Sequence, residues 1–404
     1  MVIKKDCLQQ LLNDLLSLKL QLKDESNKHL EKEILHQMLL VIACIEKFYK
    51  PSILKMGIDT CKYKKIKKGT FTSENCNKVA TLTKIKTEYD IDEEKLLSFL
   101  SEYIKLTEPV KKVEKSINAF KKEDYYSIVG DFFKWYNDDA YLLFKSMWQN
   151  KQIHFIDYNK WRVQGAGCYA AIRHLKKGYI FLPDGKSLHT METIAHEIQH
   201  AFEEEKSNYQ LRNDNFINFR EVSTNFIELL FLHYLKENKM FVDEMYNRQK
   251  MNIINARSIA LILRDKLTVE KAIKDYYQEN NEKEDKPLCA LDNLKIIIRL
   301  MDKGIYITEG ELINAKKSDG PTDEMNLTNY LIAHKIFKLY LRDEKKALNI
   351  IESLSTNIDK NPIDIFNEAD INISCDSLLF SYEDYIKNIV AAAEIKEGVS
   401  KLYK

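Results

Sequence analysis

Backbone punctuation is scarce in this chain of 404 residues: 11 glycines and 6 prolines, far below the roughly 7% and 5% of ordinary usage. So few breakers over such a length exclude a turn-rich β architecture and predict long helices. Cysteine is sparse too. The seven thiols are scattered and odd in number, with no Cys-x-x-Cys pair, which argues against a disulfide scaffold and for a reducing cytoplasm. There is no excess of one charge, since 62 Lys+Arg face 61 Asp+Glu for a net +1. Electrostatics alone therefore demands neither nucleic acid nor a membrane surface. The longest apolar runs, near Met38–Ile45 and Phe226–Leu232, fall far short of the ~20 residues a membrane span needs. Asp6 and Asn13 interrupt the apolar positions at the start, so the segment does not read as a signal peptide. The expectation is a monomeric cytoplasmic protein with no nucleic-acid or membrane partner.

What is present is mostly helical periodicity. Leu8, Leu11, Leu12, Leu15 and Leu16, then Ile34, Leu35 and Leu39, recur at three- and four-residue spacing with charges between. The basic run Lys62–Lys68 reads as a solvated loop or helix face, because few aromatics interleave it. Periodicity resumes from Asp92 to Lys151, with interruptions expected at Pro109 and Gly130. Four of the eleven glycines (Gly165, Gly167, Gly178, Gly185) then cluster beside β-prone pieces at His154–Tyr158 and Tyr179–Leu182. They predict a small antiparallel sheet with tight turns. Helices are expected next at Leu188–Glu205, Arg220–Lys236, Val242–Leu267 and Val269–Gln278, followed by a charged loop at Glu279–Lys286. Asn361–Asn372 reads as a short connecting unit.

His196-Glu197-Ile198-Gln199-His200 is an H-E-x-x-H motif. On a helix, residues four apart share a face, so both imidazoles can reach one ion. Glu197 lies between them, where it can take a proton from a metal-bound water. Thr193, Ile194, Ala195 and Ile198 supply an apolar stripe, so the helix is expected to be buried, and buried histidines need a partner. A catalytic zinc site takes three protein ligands and keeps one position open. Glu221, on the next predicted helix, is the candidate third ligand, giving one Zn2+ per chain. Glu228 follows seven residues later, two turns along the same face, and can orient a ligand histidine through its second ring nitrogen. Glu203, Glu204 and Glu205 follow the motif on its own helix and cannot fold back onto the metal.

The chain resembles the thimet oligopeptidase and oligoendopeptidase F family of zinc metallopeptidases from about Asp139 to the C-terminus. Ile156-Asp157 and Gly165-Ala166-Gly167-Cys168-Tyr169 look like the family's segment ahead of the metal helix. Glu221 through Glu228 looks like its E-x-x-S-x-x-x-E, in which the first Glu is a zinc ligand. Gln199 departs from the family's glycine, Glu203 stands where many members have histidine, and the hydroxyl after Glu221 is Thr224 with Ser223 beside it. The resemblance implies a zincin-like, mainly helical oligopeptidase fold with the small sheet next to the metal helix. It also implies a helical N-terminal lobe at 1–135, abbreviated here, and a peptidase domain at 136–404. Thr328–Lys335 looks like the helix that carries the family's oxyanion-stabilising tyrosines, so Tyr330 and His334 are candidate donors. Gly165, Gly167 and Tyr169 would line a strand that pairs with the substrate backbone. The expected function is zinc-dependent hydrolysis of short or unfolded peptides. Two alternatives are a processing protease for one precursor and a silent, metal-stabilised peptide binder.

Overall fold

The computed structural model describes residues 5–21, 93–110, 120–157, 167–210, 219–280, 289–309 and 322–402, with Ile34, Met38, Ile42 and Leu312. The basic run Lys62–Lys68, Gly165 and nearly all of the predicted loop Glu279–Lys286 lie outside these residues. In chain order the elements are α1 (Lys5–Gln21), α2 (Glu93–Thr107), α3 (Lys122–Tyr136), α4 (Asp138–Gln149), β1 (Ile153–Asp157), β2 (Cys168–Ile172) and β3 (Lys177–Asp184). After them come α5 (Leu188–Lys206), α6 (Glu221–Glu237), α7 (Val242–Glu279), α8 (Ala290–Asp302), α9 (Thr322–Tyr340), α10 (Glu344–Thr356), α11 (Pro362–Glu368) and α12 (Cys375–Leu402). The protein is mainly helical, as its shortage of glycine and proline predicts. No helix among the described residues is long and apolar enough to cross a membrane.

Two details of the helices differ from the sequence-based expectation. Gly130 does not interrupt a helix: it sits inside α3, where an added Cβ would meet Phe144 Cε1 of α4 at 3.3 Å. Its role is close helix–helix approach. The two helices expected on either side of Thr268 are one, α7, of 38 residues. The Thr268 hydroxyl donates to the Arg264 carbonyl at 2.8 Å, so this β-branched residue satisfies itself within the helix instead of ending it.

The chain forms two compact units. One comprises Met1–Lys86, Lys115–Met245 and Leu339–Ala369, the other Thr87–Glu114, Tyr246–Lys338 and Asp370–Lys404. In the first, Asn137 joins α3 to α4. Its N–H closes α3 on the Phe133 carbonyl at 2.8 Å, and its side chain caps α4 by accepting from Ala140 N at 3.0 Å. Phe132, Phe133, Phe144 and Phe231 are fully buried there, each contributing about 1.5–3 kcal/mol by leaving water. The sheet has strand order β1-β3-β2. β2 and β3 are antiparallel, as predicted, but β1 runs parallel to β3. Alternating apolar residues mark a strand without marking its direction. The β2–β3 hairpin turns through Lys176, at φ 46°, and is anchored to α5 by Arg173, which holds Glu204 through two hydrogen bonds of 2.8 and 3.0 Å.

In the second unit, Tyr103 of α2 stacks on Tyr382 of α12 at 5.4 Å. Arg257 of α7 donates to the Thr107 carbonyl at 2.6 Å, which closes the end of α2. The far half of α7 packs Val269, Ala272, Ile273, Tyr276 and Tyr277 against Ile296 and Leu300 of α8.

Candidate metal centre

The site belongs to the first unit and is built on α5 and α6. The α5 sequence buries Ile194, Ala195, Ile198 and Ala201, and this fixes the rotation of the helix so that His196 and His200 emerge together. Their rings lie 5.0 Å apart at 78°. Across from them, Oε2 of Glu221 approaches His196 Nε2 at 3.1 Å and His200 Nε2 at 3.3 Å. One ligand atom from each of the three residues falls within a 4.8 Å span.

Ligands about 2.0–2.1 Å from a tetrahedral zinc sit roughly 3.3–3.4 Å from one another. Two imidazoles and a carboxylate at these separations match that donor set and leave a fourth position open. Glu228 Oε1 lies 2.8 Å from His196 Nδ1. A proton on Nδ1 is donated to Glu228, so Nε2 is the nitrogen that would ligate a metal. The Thr224 hydroxyl donates to Glu221 Oε2 at 3.2 Å, which steadies the carboxylate from the next turn.

Electrostatics reinforces the geometry. Burial alone would raise Glu221, but the two imidazoles overcome it and hold the carboxyl well below its usual range. Burial would lower His196, yet hydrogen bonds to Glu221 and Glu228 raise it well above the ordinary value. His200, without a second carboxylate, is pushed down by burial to about 4. A carboxylate that stays ionised while buried between two imidazoles is already compensated as a cation ligand would be.

Glu197 faces the same space. It is buried, and among the described residues it accepts no hydrogen bond; burial pushes it up to about 8, with His196 pulling the other way. Gly167, just before β2, makes room for it. A Cβ at Gly167 would lie 2.5 Å from Glu197 Oε1 and 2.7 Å from Thr193 Cγ2. Tyr169 is buried and lies across Gly178 of β3, where an added Cβ would fall 2.2 Å from the ring. Its side chain serves the sheet, while β2 itself is an edge strand among the described residues.

Two features escaped the sequence reading. Arg220, exposed and directly before Glu221, is near enough to lower both Glu197 and His200. Its adjacency to the carboxylate was the available signal. Glu203 is buried on α5, accepting from Ser223 of α6 and, at 3.5 Å, from Gln199 Nε2.

Tyr330 and His334 belong to the second unit. The His334 ring is buried within 4.5 Å of Tyr330, 4.7 Å of Tyr382 and 4.3 Å of Tyr385, measured between centroids. Burial lowers it to about 3, so it is neutral at physiological pH. The Tyr382 hydroxyl donates to that of Tyr330 at 3.3 Å. Tyr382 and Tyr385, three apart on α12, gave no motif to single them out among 22 tyrosines.

No family model matches the chain, and no curated protein does. Solved structures do match. Pz peptidase A, determined with an inhibitor, superimposes at a TM-score of 0.50 with 12% identity over 94% of this chain and 80% of its own. A Bacillus anthracis protein whose structure carries the name oligoendopeptidase F gives 0.50 and 11% over 90% of this chain. The fold is that of the oligoendopeptidase-like helical peptidases. The chain spans 64% of the length of the Bacillus protein. It spans 53% of that of a Chlamydophila abortus peptidase, matched at a TM-score of 0.47 and 12% identity over 74% of this chain.

Proposed function

We propose that this protein is a zinc-dependent endopeptidase acting on short or unfolded peptides. The observation that carries the reading is the convergence of His196, His200 and Glu221 beside a buried Glu197 that accepts no hydrogen bond from a described residue. The shared peptidase fold supports it. A zinc ion held by the three ligands supplies Lewis-acid polarisation of the scissile carbonyl and acidifies a water. Glu197 takes the proton of the attacking water and delivers it to the leaving amine. Burial raises its carboxyl, which favours its holding the proton until the leaving amine takes it. An extended peptide adds to the free edge of β2, its backbone hydrogen-bonding to the strand. A folded substrate would first have to surrender its own hydrogen bonds.

The silent-binder alternative gives Glu197 no task, and the processing alternative differs only in the peptide. Mass spectrometry of a peptide library, with chelator and after zinc is restored, tests the proposal. Cleavage that persists unchanged in chelator would sink it.

Gly167→Ala should stay folded and zinc-loaded while kcat/KM falls by about 10²-fold, the scale of a 1 Å misplacement of a reacting group. The new methyl can be relieved only by moving Glu197 and Thr193. Parental turnover in a structurally confirmed variant would show that Glu197 works from another position.

The oxyanion donor is carried over from the family resemblance. Tyr330 is favoured over His334 because a neutral phenol donates without changing charge, whereas His334 has no cationic form at neutral pH. Tyr330→Phe should lower kcat by ~10²–10³-fold with little change in KM. A fall confined to KM would make Tyr330 a substrate-positioning group instead.

A further inference from the structure

Arg220 stands directly before Glu221, the carboxylate that faces both imidazoles. Its side chain is exposed and makes no cap to α6. Among the described residues no hydrogen bond or ion pair holds its guanidinium. Other arginines are held: Arg173 by Glu204, Arg264 by Asp265 and Arg299 by Glu279. A cation beside a ligand carboxylate opposes the binding of a metal cation there. Its placement therefore works against the metal centre unless an anion from outside neutralises it.

The charge reaches the working end of the site. Besides Glu197 and His200, Arg220 is near enough to lower Tyr169 of β2. It thus lies between the metal helix and the start of that strand. The backbone at Gly167 lies against Glu197, and Tyr169 follows two residues on, about 7 Å along an extended chain. A peptide pairing with β2 passes Arg220 within roughly two residues of the bond beside Glu197. The anion that suits a free guanidinium is a carboxylate, which takes two parallel N–H···O bonds from it. We propose that Arg220 is a substrate-binding residue that selects peptides carrying a carboxylate within about two residues of the scissile bond. The α-carboxylate of a chain end and an Asp or Glu side chain offer the same chemistry. The proposal rests on the peptidase reading and narrows its substrate class.

Matched peptides separate the two sources. One pair differs only in a free or an amidated C-terminus. A second series, amidated throughout, carries one Glu or one Gln at successive positions. With the zinc-loaded parent, the carboxylate member of at least one pair should show kcat/KM roughly 10-fold above its neutral twin. That ratio should shrink in ~0.5 M salt, because an exposed contact is screened. In Arg220→Gln the ratio should fall to about 1, and in Arg220→Lys it should persist in part. In Arg220→Glu a peptide with Lys at the same position should be preferred instead. The readout is a ratio within each variant, so a general loss of activity or stability does not imitate it.

Binding is read separately, by fluorescence polarisation of the same peptides on the zinc-loaded Glu197→Gln chain, with and without Arg220→Gln. A carboxylate preference in binding that Arg220→Gln abolishes supports the assignment of Arg220 even if the parent cleaves nothing, in which case the peptidase reading fails alone. Cleavage with no carboxylate preference at any position would overturn the assignment and leave the peptidase reading standing. So would a preference that survives unchanged in Arg220→Gln, or one found only at positions remote from the cleaved bond. Neither cleavage nor binding of any peptide would overturn both.

Discussion

Glu197→Gln should bind zinc as the parent does and hydrolyse peptides roughly 10²–10⁴-fold more slowly, the contribution of a positioned proton-transfer group. The amide has the shape of the carboxyl, so the space beside Gly167 is filled as before, but it cannot accept the proton of an attacking water. A second consequence concerns stability and needs no turnover. The folded-state value of Glu197 is raised from 4.5 to about 8 by burial. A raised carboxyl is held protonated by folding, so its contribution is complete below pH 4.5 and is lost as pH climbs through about 8. Glutamine has nothing to lose. In the metal-free state, urea unfolding at pH 5 and pH 8 should show the variant gaining on the parent at the higher pH. Equal slopes would mean that folding does not raise the Glu197 carboxyl.

Glu221→Ala should reduce zinc affinity by far more than the 10–100-fold expected when an outer partner of a ligand is changed. Glu228→Ala supplies that comparison, since among the described residues Glu228 hydrogen-bonds only His196 Nδ1, at 2.8 Å. The ranking follows from geometry. Glu221 faces both imidazoles at 3.1 and 3.3 Å, and its loss leaves two nitrogens without an anion to complete a neutralising ligand set. Metal analysis after dialysis against graded chelator would separate the two variants. Equal retention by Glu221→Ala and the parent would remove Glu221 from the ligand set and cost the proposed function its central support.

The parts of the site that the sequence made legible are those governed by helical periodicity. Residues four apart (His196, His200) and seven apart (Glu221, Glu228) share a face whatever else the protein does, and their convergence needs only that α5 and α6 pack. The strands were legible for a similar reason, because apolar alternation survives in any sheet. What stayed hidden depends on residues distant in sequence. The direction of β1 is set by the path of the chain beyond it. Gly167 was legible as a close-approach glycine on a substrate-pairing strand, but not as the residue that makes room for Glu197. The partner of Glu203 lies 20 residues on, at Ser223, and no pattern ties the two.

That last contact bears on how the chain can change over time. Gln199, Glu203 and Ser223 sit where the sequence parts from the pattern it resembles, and Glu203 accepts from both of the others. Substitutions at the three positions are therefore expected to be non-additive in stability, which a double-mutant cycle reads. Restoring glycine at 199 or histidine at 203 alone would strip a donor from a buried carboxylate, or set an imidazole against a hydroxyl placed for an acid. The contact also ties α5 to α6 close to the metal centre, since Ser223 lies two residues from Glu221.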